Sequence, residues 1–256
     1  MTDQTSAFRT IPAATVIIFR RSAAAGPPEL LMVQRAKEMR FAGGAAVFPG
    51  GRVDPEDRAL AASLMPGADA EDAAARIAAI RETLEETGLA IATERPVSAA
   101  EAAEARRLLL AEGALAPVIE RLGWRLAPER LVPFARWRPD WDGAFDTRFF
   151  LADLGTGAVD VAVDATENTR LFWASARQAL AMDDAGEISV IFPTRRNLDR
   201  LALSATYAEA CAQAAAFPAG IITPRREKRE GEEWLCIPED RGYPVTGQPL
   251  ASAKRG

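Results

Sequence analysis

The chain has 256 residues, 48% apolar and 26% charged, enough to bury a substantial core, and one domain with insertions is expected over 1–256. Its net charge of −5 argues against a general nucleic-acid binder, so any phosphate recognition must be local. Histidine is absent, which removes a histidine base, nucleophile or zinc ligand and leaves a carboxylate or a metal-activated water as general base.

In chain order, strands are expected near 15–20, 30–34 and 45–48, the last followed by Phe48-Pro49-Gly50-Gly51. A helix is expected over about 72–87 and a strand over 89–92. Residues 98–128, rich in Ala, Glu, Arg and Leu and opening on a Ser98 cap, read as two helices in an insert. Further strands are expected over 131–137, 147–154 and 169–173, then helices over 175–182 and 195–215. Strands mixed with flanking helices imply an α/β or α+β fold. Residues 11–19 are apolar but too short to span a bilayer, and Arg20-Arg21 follows them, so no membrane association is expected. Cys211 and Cys236 show no CxxC spacing and read as reduced thiols of a cytoplasmic protein.

The most informative segment is 81–89, R-E-T-L-E-E-T-G-L. On a helix, Glu82, Glu85 and Glu86 fall at i, i+3 and i+4, about 5–6 Å apart between Cβ atoms. They occupy the last turn before Gly88, where the negative end of the helix dipole adds to their mutual repulsion. A hard divalent cation held through oxygens, Mg²⁺ or Mn²⁺, would remove both penalties and leave positions for phosphate oxygens. At about 100° per residue, Ala73, Ile77, Ile80 and Leu84 form the stripe that buries, with the glutamates on the far, solvent-facing side. Ala75, Ala78 and Ala79 continue that far side and would let Phe48-Pro49-Gly50-Gly51 approach, its glycines forming a tight turn that brings carbonyls to an ion or phosphate. A solvated acidic face would interleave lysine at i+4, yet none occurs between Lys37 and Lys228. Arg81 lies four residues before Glu85, the spacing of an ordinary helix salt bridge.

At these residues the chain resembles the Nudix hydrolases, metal-dependent pyrophosphatases with the signature G-x5-E-x7-R-E-U-x-E-E-x-G-U, U being a bulky aliphatic residue. Arg81, Glu82, Glu85, Glu86, Gly88 and Leu89 match its second half, and Thr83 departs from it. Gly67 stands at the right distance before Arg81 but in a turn with no strand ahead. Gly51 has the right context, a strand followed by F-P-G-G, and is taken as the first glycine. This requires an insertion of roughly sixteen residues, 54–69, and leaves the signature's first glutamate without a match, Glu71 and Asp72 lying nearby.

The resemblance implies an α/β/α sandwich with a mixed sheet. It further implies a metal held by Glu82, Glu85, Glu86 and the Gly51 carbonyl, and Arg81 orienting a catalytic carboxylate. A loop acid often supplements the helix in this family, and Glu167, or Asp164, is the candidate. Residues 145–150, 167–173, 176–181 and 191–194 are similar to larger members related to peroxisomal coenzyme A diphosphatases. In that setting Arg35, Lys37 and Arg40, with Gly50 and Gly51, would contact substrate phosphates. The implied reaction is hydrolysis of a small-molecule nucleoside diphosphate derivative, coenzyme A or an acyl-CoA first, with ADP-ribose, NADH and nucleotide sugars open. A homodimer is compatible with this, and a non-catalytic nucleotide sensor is the alternative.

Overall fold

The structure is a computed structural model and describes residues 8–22, 26–39, 42–154 and 168–253. It opens with β1 (Ile11–Arg20), β2 (Glu29–Arg35), β3 (Ala46–Val47) and β4 (Gly50–Arg52). Helices α1 (Pro55–Leu64), α2 (Ala70–Thr87), α3 (Ala99–Glu112) and α4 (Leu115–Leu122) follow. Strands β5 (Val132–Trp137), β6 (Phe145–Asp153) and β7 (Asn168–Ala174) lead to α5 (Ala176–Asp184), α6 (Phe192–Leu201) and α7 (Tyr207–Ala216). The remaining strands are β8 (Ile221–Ile222), β9 (Arg225–Arg229), β10 (Glu232–Cys236) and β11 (Gly247–Pro249).

The main sheet runs β3-β2-β1-β6-β5-β8, with β4 pairing β1 and β7 pairing β2. β1 and β6 run parallel over their length, from Ile11 opposite Phe145 to Phe19 opposite Asp153. The other edge of β1 is shared: β2 takes Phe19 and Arg20, while β4 takes Ala13, Ala14 and Thr15. The sheet therefore divides beside Gly50 and Gly51. A separate antiparallel sheet is ordered β11-β10-β9.

Alternation along β1 assigns the two faces. Ala14, Val16 and Ile18 pack with Ile77, Leu84, Leu109 and Ile119 from α2, α3 and α4. Ile17 and Phe19 pack with Ala179, Phe192, Leu198 and Ala214 from α5, α6 and α7. Each fully buried Ile, Leu or Phe contributes about 1.5–3 kcal/mol, so both faces of the sheet must be covered. The result is the expected mixed α/β sandwich. Among the described residues, no helix is long and apolar enough to cross a membrane.

Several local expectations change. Gly50 and Gly51 lie in a strand rather than a tight turn, because β4 pairs with β1. Residues 89–92 form no strand: Ala92 takes φ 50°, and its carbonyl accepts from the Ala127 N–H. The helix expected over 195–215 is two, because Thr206 caps a new start by accepting from the Glu209 N–H. Residues 54–69 are mainly helical, and 98–128 give α3 and α4, with Ser98 and Glu101 in a reciprocal cap.

Candidate active site

Helix α2 is built to start and stop where it does. The Asp69 side chain accepts the Asp72 N–H at 2.8 Å, and Glu71 and Asp72 suit the positive helix end. At the other end Gly88 takes φ 74° and returns its N–H to the Leu84 carbonyl. Between them α2 is buried nearly all round, Ala74, Ala75, Ile77, Ala78 and Ala79 being fully inaccessible. The expected two-sided helix is thus enclosed by the sheet on one side and by α1 and β4 on others. This places the glutamates differently from the solvent-facing expectation. Glu86 is buried, Glu82 is mostly buried at 16% side-chain exposure, and only Glu85, at 38%, faces solvent.

Gly51 is where the helix meets β4. A Cβ there would lie 2.3 Å from Cδ and Oε1 of Glu82, so the carboxylate occupies the space any side chain would need. One residue earlier, the Gly50 N–H donates to Glu86 Oε2 at 3.0 Å. Arg35 brings Nη1 to 4.0 Å from Glu86 Oε1. The structure therefore gathers Arg35, Gly50, Gly51, Glu82 and Glu86 at one junction. Lys37 is exposed. Arg40, Asp164 and Glu167 lie outside the described residues.

Arg81 ties these parts together. Its Nε and Nη2 donate to the two carboxylate oxygens of Asp57, each at 2.9 Å, and Nη2 also donates to the Arg52 carbonyl at 2.9 Å. Its Nη1 reaches Glu82 at 2.9 Å and Glu85 at 3.5 Å, and Asp54 lies 3.2 Å from Nη2. Burial alone would lower the Arg81 pKa, but the bonds to Asp57 and the charges of Glu82, Asp57 and Asp54 outweigh it and raise it. Arg81 therefore stays charged.

Asp57 is the functional residue the sequence reading missed. It is buried at 1% exposure and also accepts the Asp54 N–H at 2.9 Å. It stands six residues after Gly51, the spacing of the signature's first glutamate, so the additional residues fall between Asp57 and Arg81 rather than from 54 onward. Passing over five residues after Gly51 would have found it. Glu71 and Asp72 are engaged elsewhere, with Arg58 and Arg76.

The glutamates carry an electrostatic load. Burial, and then the neighbouring Glu86 and Glu85, push the Glu82 carboxyl up to about 8, against the opposing pull of Arg81. At the exposed end, Arg106 of α3 donates through Nε to the Glu85 carbonyl at 2.8 Å, placing a cation at the negative helix terminus. Among the described residues no three acidic or thiol side chains stand in a ready metal-ligating arrangement, because Glu82 and Glu85 turn to Arg81 and Glu86 to Gly50. The donor set is nonetheless of the kind a hard divalent ion takes: three carboxylates in one turn, one of them desolvated and destabilised by its acidic neighbours.

No family profile and no curated protein matches the chain. Among solved structures it is similar to a NUDIX hydrolase from Alicyclobacillus acidocaldarius, with a TM-score of 0.65 and 28% identity over 81% of this chain and 97% of that one. Looser likenesses, which add nothing to the argument, are to a MutT protein from Methanosarcina mazei Go1 (TM-score 0.42, 16% identity, 77% and 96% covered) and to a C. elegans Ap4A hydrolase (TM-score 0.36, 20% identity, 69% and 88% covered). The first likeness takes in most of this chain and nearly all of its counterpart, and with the glutamate helix it shows the Nudix hydrolase fold and supports an enzyme of that kind.

Proposed function

We propose that the chain hydrolyses the diphosphate linkage of a nucleoside diphosphate derivative, with coenzyme A or an acyl-CoA as the leading substrate and ADP-ribose, NADH and nucleotide sugars as the alternatives. The observation that carries this reading is the junction of α2 with β4, where Glu82 packs on Gly51 and Glu86 accepts from Gly50. Glu82, Glu85, Glu86 and the Gly51 carbonyl would hold Mg²⁺ or Mn²⁺. Such an ion polarises a phosphoryl oxygen and lowers the pKa of water, supplying several kcal/mol of charge stabilisation.

The chain's own residues do the rest. Arg35, beside Glu86, offers a planar guanidinium suited to a phosphate oxygen. Arg81, anchored on Asp57, holds Glu82 and Glu85 in place. With no histidine available, the proton of the attacking water passes to a carboxylate of this cluster or to solvent. Helix α3 reaches the same end of α2 through Arg106, and the α3–α4 insert would bear on the non-nucleotide half of the substrate.

The test is a panel of CoA, ADP-ribose, NADH and a nucleotide sugar, incubated with purified protein and Mg²⁺ or Mn²⁺, with phosphorylated products resolved by chromatography. Turnover of at least one, lost in Glu86→Gln, supports the reading. Binding without turnover at any metal concentration would make the chain a nucleotide sensor instead.

A further inference from the structure

A pocket of ≈ 430 Å³ opens at the end of α2 opposite the glutamates, between the start of that helix and strands β5 and β6. Asp72 borders it, and the ten residues from Asp72 to Glu82 rise about 15 Å along the helix, so it stands apart from the glutamate cluster. Its size falls within the range of about 300–1,000 Å³ usual for small-molecule sites. Pro133, Phe150 and Ala219 contribute apolar lining.

Two arginines face each other here. Arg136 of β5 and Arg148 of β6 are direct cross-strand partners, an arrangement that like charges disfavour. Asp146 resolves it on one side only, accepting from Arg136 Nε at 2.8 Å and Nη2 at 2.7 Å. Arg148 makes no hydrogen bond or close ion pair with any described residue, although it is half-buried. The acids on the facing wall are committed: Glu71 pairs with Arg58, Asp72 with Arg76, and Asp69 caps α2. Burial, then the charge of Arg136, lower the Arg148 pKa, only partly offset by Asp146, Asp72 and Glu71. A half-buried guanidinium whose neighbouring carboxylates are already paired is a vacant half of a charge-assisted bond.

We propose that this pocket binds a small organic anion, a carboxylate or a phosphate monoester on a compact apolar body, whose charged head pairs with Arg148. The apolar body lies against Pro133 and Phe150, with the exposed Ala219 also lining the pocket. The proposal does not rest on the hydrolytic reading of the glutamates.

Titration calorimetry in EDTA, which keeps cations off α2, tests it with phenyl phosphate and benzoate as probes and benzyl alcohol as the neutral control. One anion or both should bind, the preference identifying the head group, while benzyl alcohol should not. Arg148→Gln should weaken binding about tenfold or more, the scale of one charge-assisted hydrogen bond, with thermal unfolding little changed. Should that variant fail to fold, Ala219→Trp, at an exposed position, obstructs the pocket without touching the core and should weaken binding likewise. Absence of binding by both anions at millimolar concentration, or unchanged affinity in the folded Arg148→Gln protein, would overturn the proposal.

Discussion

Arg81 grips Asp57 with two parallel hydrogen bonds of 2.9 Å, joining α2 to α1, the helix that precedes it in the chain. The pair is buried at both ends, and the same guanidinium turns its remaining nitrogen toward Glu82 and Glu85. Asp57 is thereby linked to the glutamate cluster through a single side chain.

Breaking that link should be expensive. Asp57→Asn leaves Arg81 buried beside a neutral partner, and loss of one member of a buried pair typically costs about 3–5 kcal/mol. Because Glu82 and Asp54 still neutralise Arg81, about 2–4 kcal/mol is expected here, which lowers Tm by roughly 4–16 °C for a chain of this size. Asp57→Glu, which keeps the charge, should recover part of it. A Tm for Asp57→Asn within two degrees of wild type would show that the pair is idle.

The two glycines of β4 should fail in different ways. A Cβ at Gly51 meets the mobile end of Glu82, whereas one at Gly50 meets the Ala14 carbonyl oxygen at 2.2 Å and the Thr15 Cα at 2.7 Å. Gly51→Ala should therefore fold with a penalty of about 1 kcal/mol while displacing Glu82 and cutting turnover about tenfold or more. Gly50→Ala should be destabilised by about 2 kcal/mol or more, since backbone cannot step aside. Thermal unfolding and turnover, measured on both variants, separate the two; equal stability would contradict the geometry.

Glu82 sets a pH dependence in metal-free protein. Its carboxyl rises from an ordinary 4.5 to about 8 on folding, so between those values the folded chain binds more protons than the unfolded one. Stability then falls as pH rises through that window. Glu82→Gln removes this contribution. In EDTA its Tm should match wild type near pH 4.5 and exceed it near pH 8. Parallel Tm profiles for the two proteins would show that Glu82 is not strained.

What the sequence made legible was local. The spacing of Glu82, Glu85 and Glu86 and the stop at Gly88 are set within one helix, and both stand in α2 as read. The segments expected near 15–20, 30–34, 131–137, 147–154 and 169–173 likewise correspond to β1, β2, β5, β6 and β7. Asp57 was not legible as the partner of Arg81, because 24 residues separate them and the pairing is tertiary. Nor was the strand character of Gly50 and Gly51, which comes from pairing with β1 across the fold. Strand β9 reads RREKR, a charge run with no apolar alternation. It exists because Glu230 and Gly231, at φ 50° and 89°, make the hairpin turn that lays it against β10.

Binding of Mn²⁺ to the wild-type protein and to the Glu85→Gln/Glu86→Gln double variant, followed by electron paramagnetic resonance of the free ion, tests most directly whether the α2 carboxylates form a metal centre. Wild type should take up the ion, and the double variant, folded and with an unreduced Tm in EDTA because like-charge repulsion is relieved, should bind it at least about tenfold more weakly. Equal affinity in the two proteins would place the metal elsewhere and contradict the account.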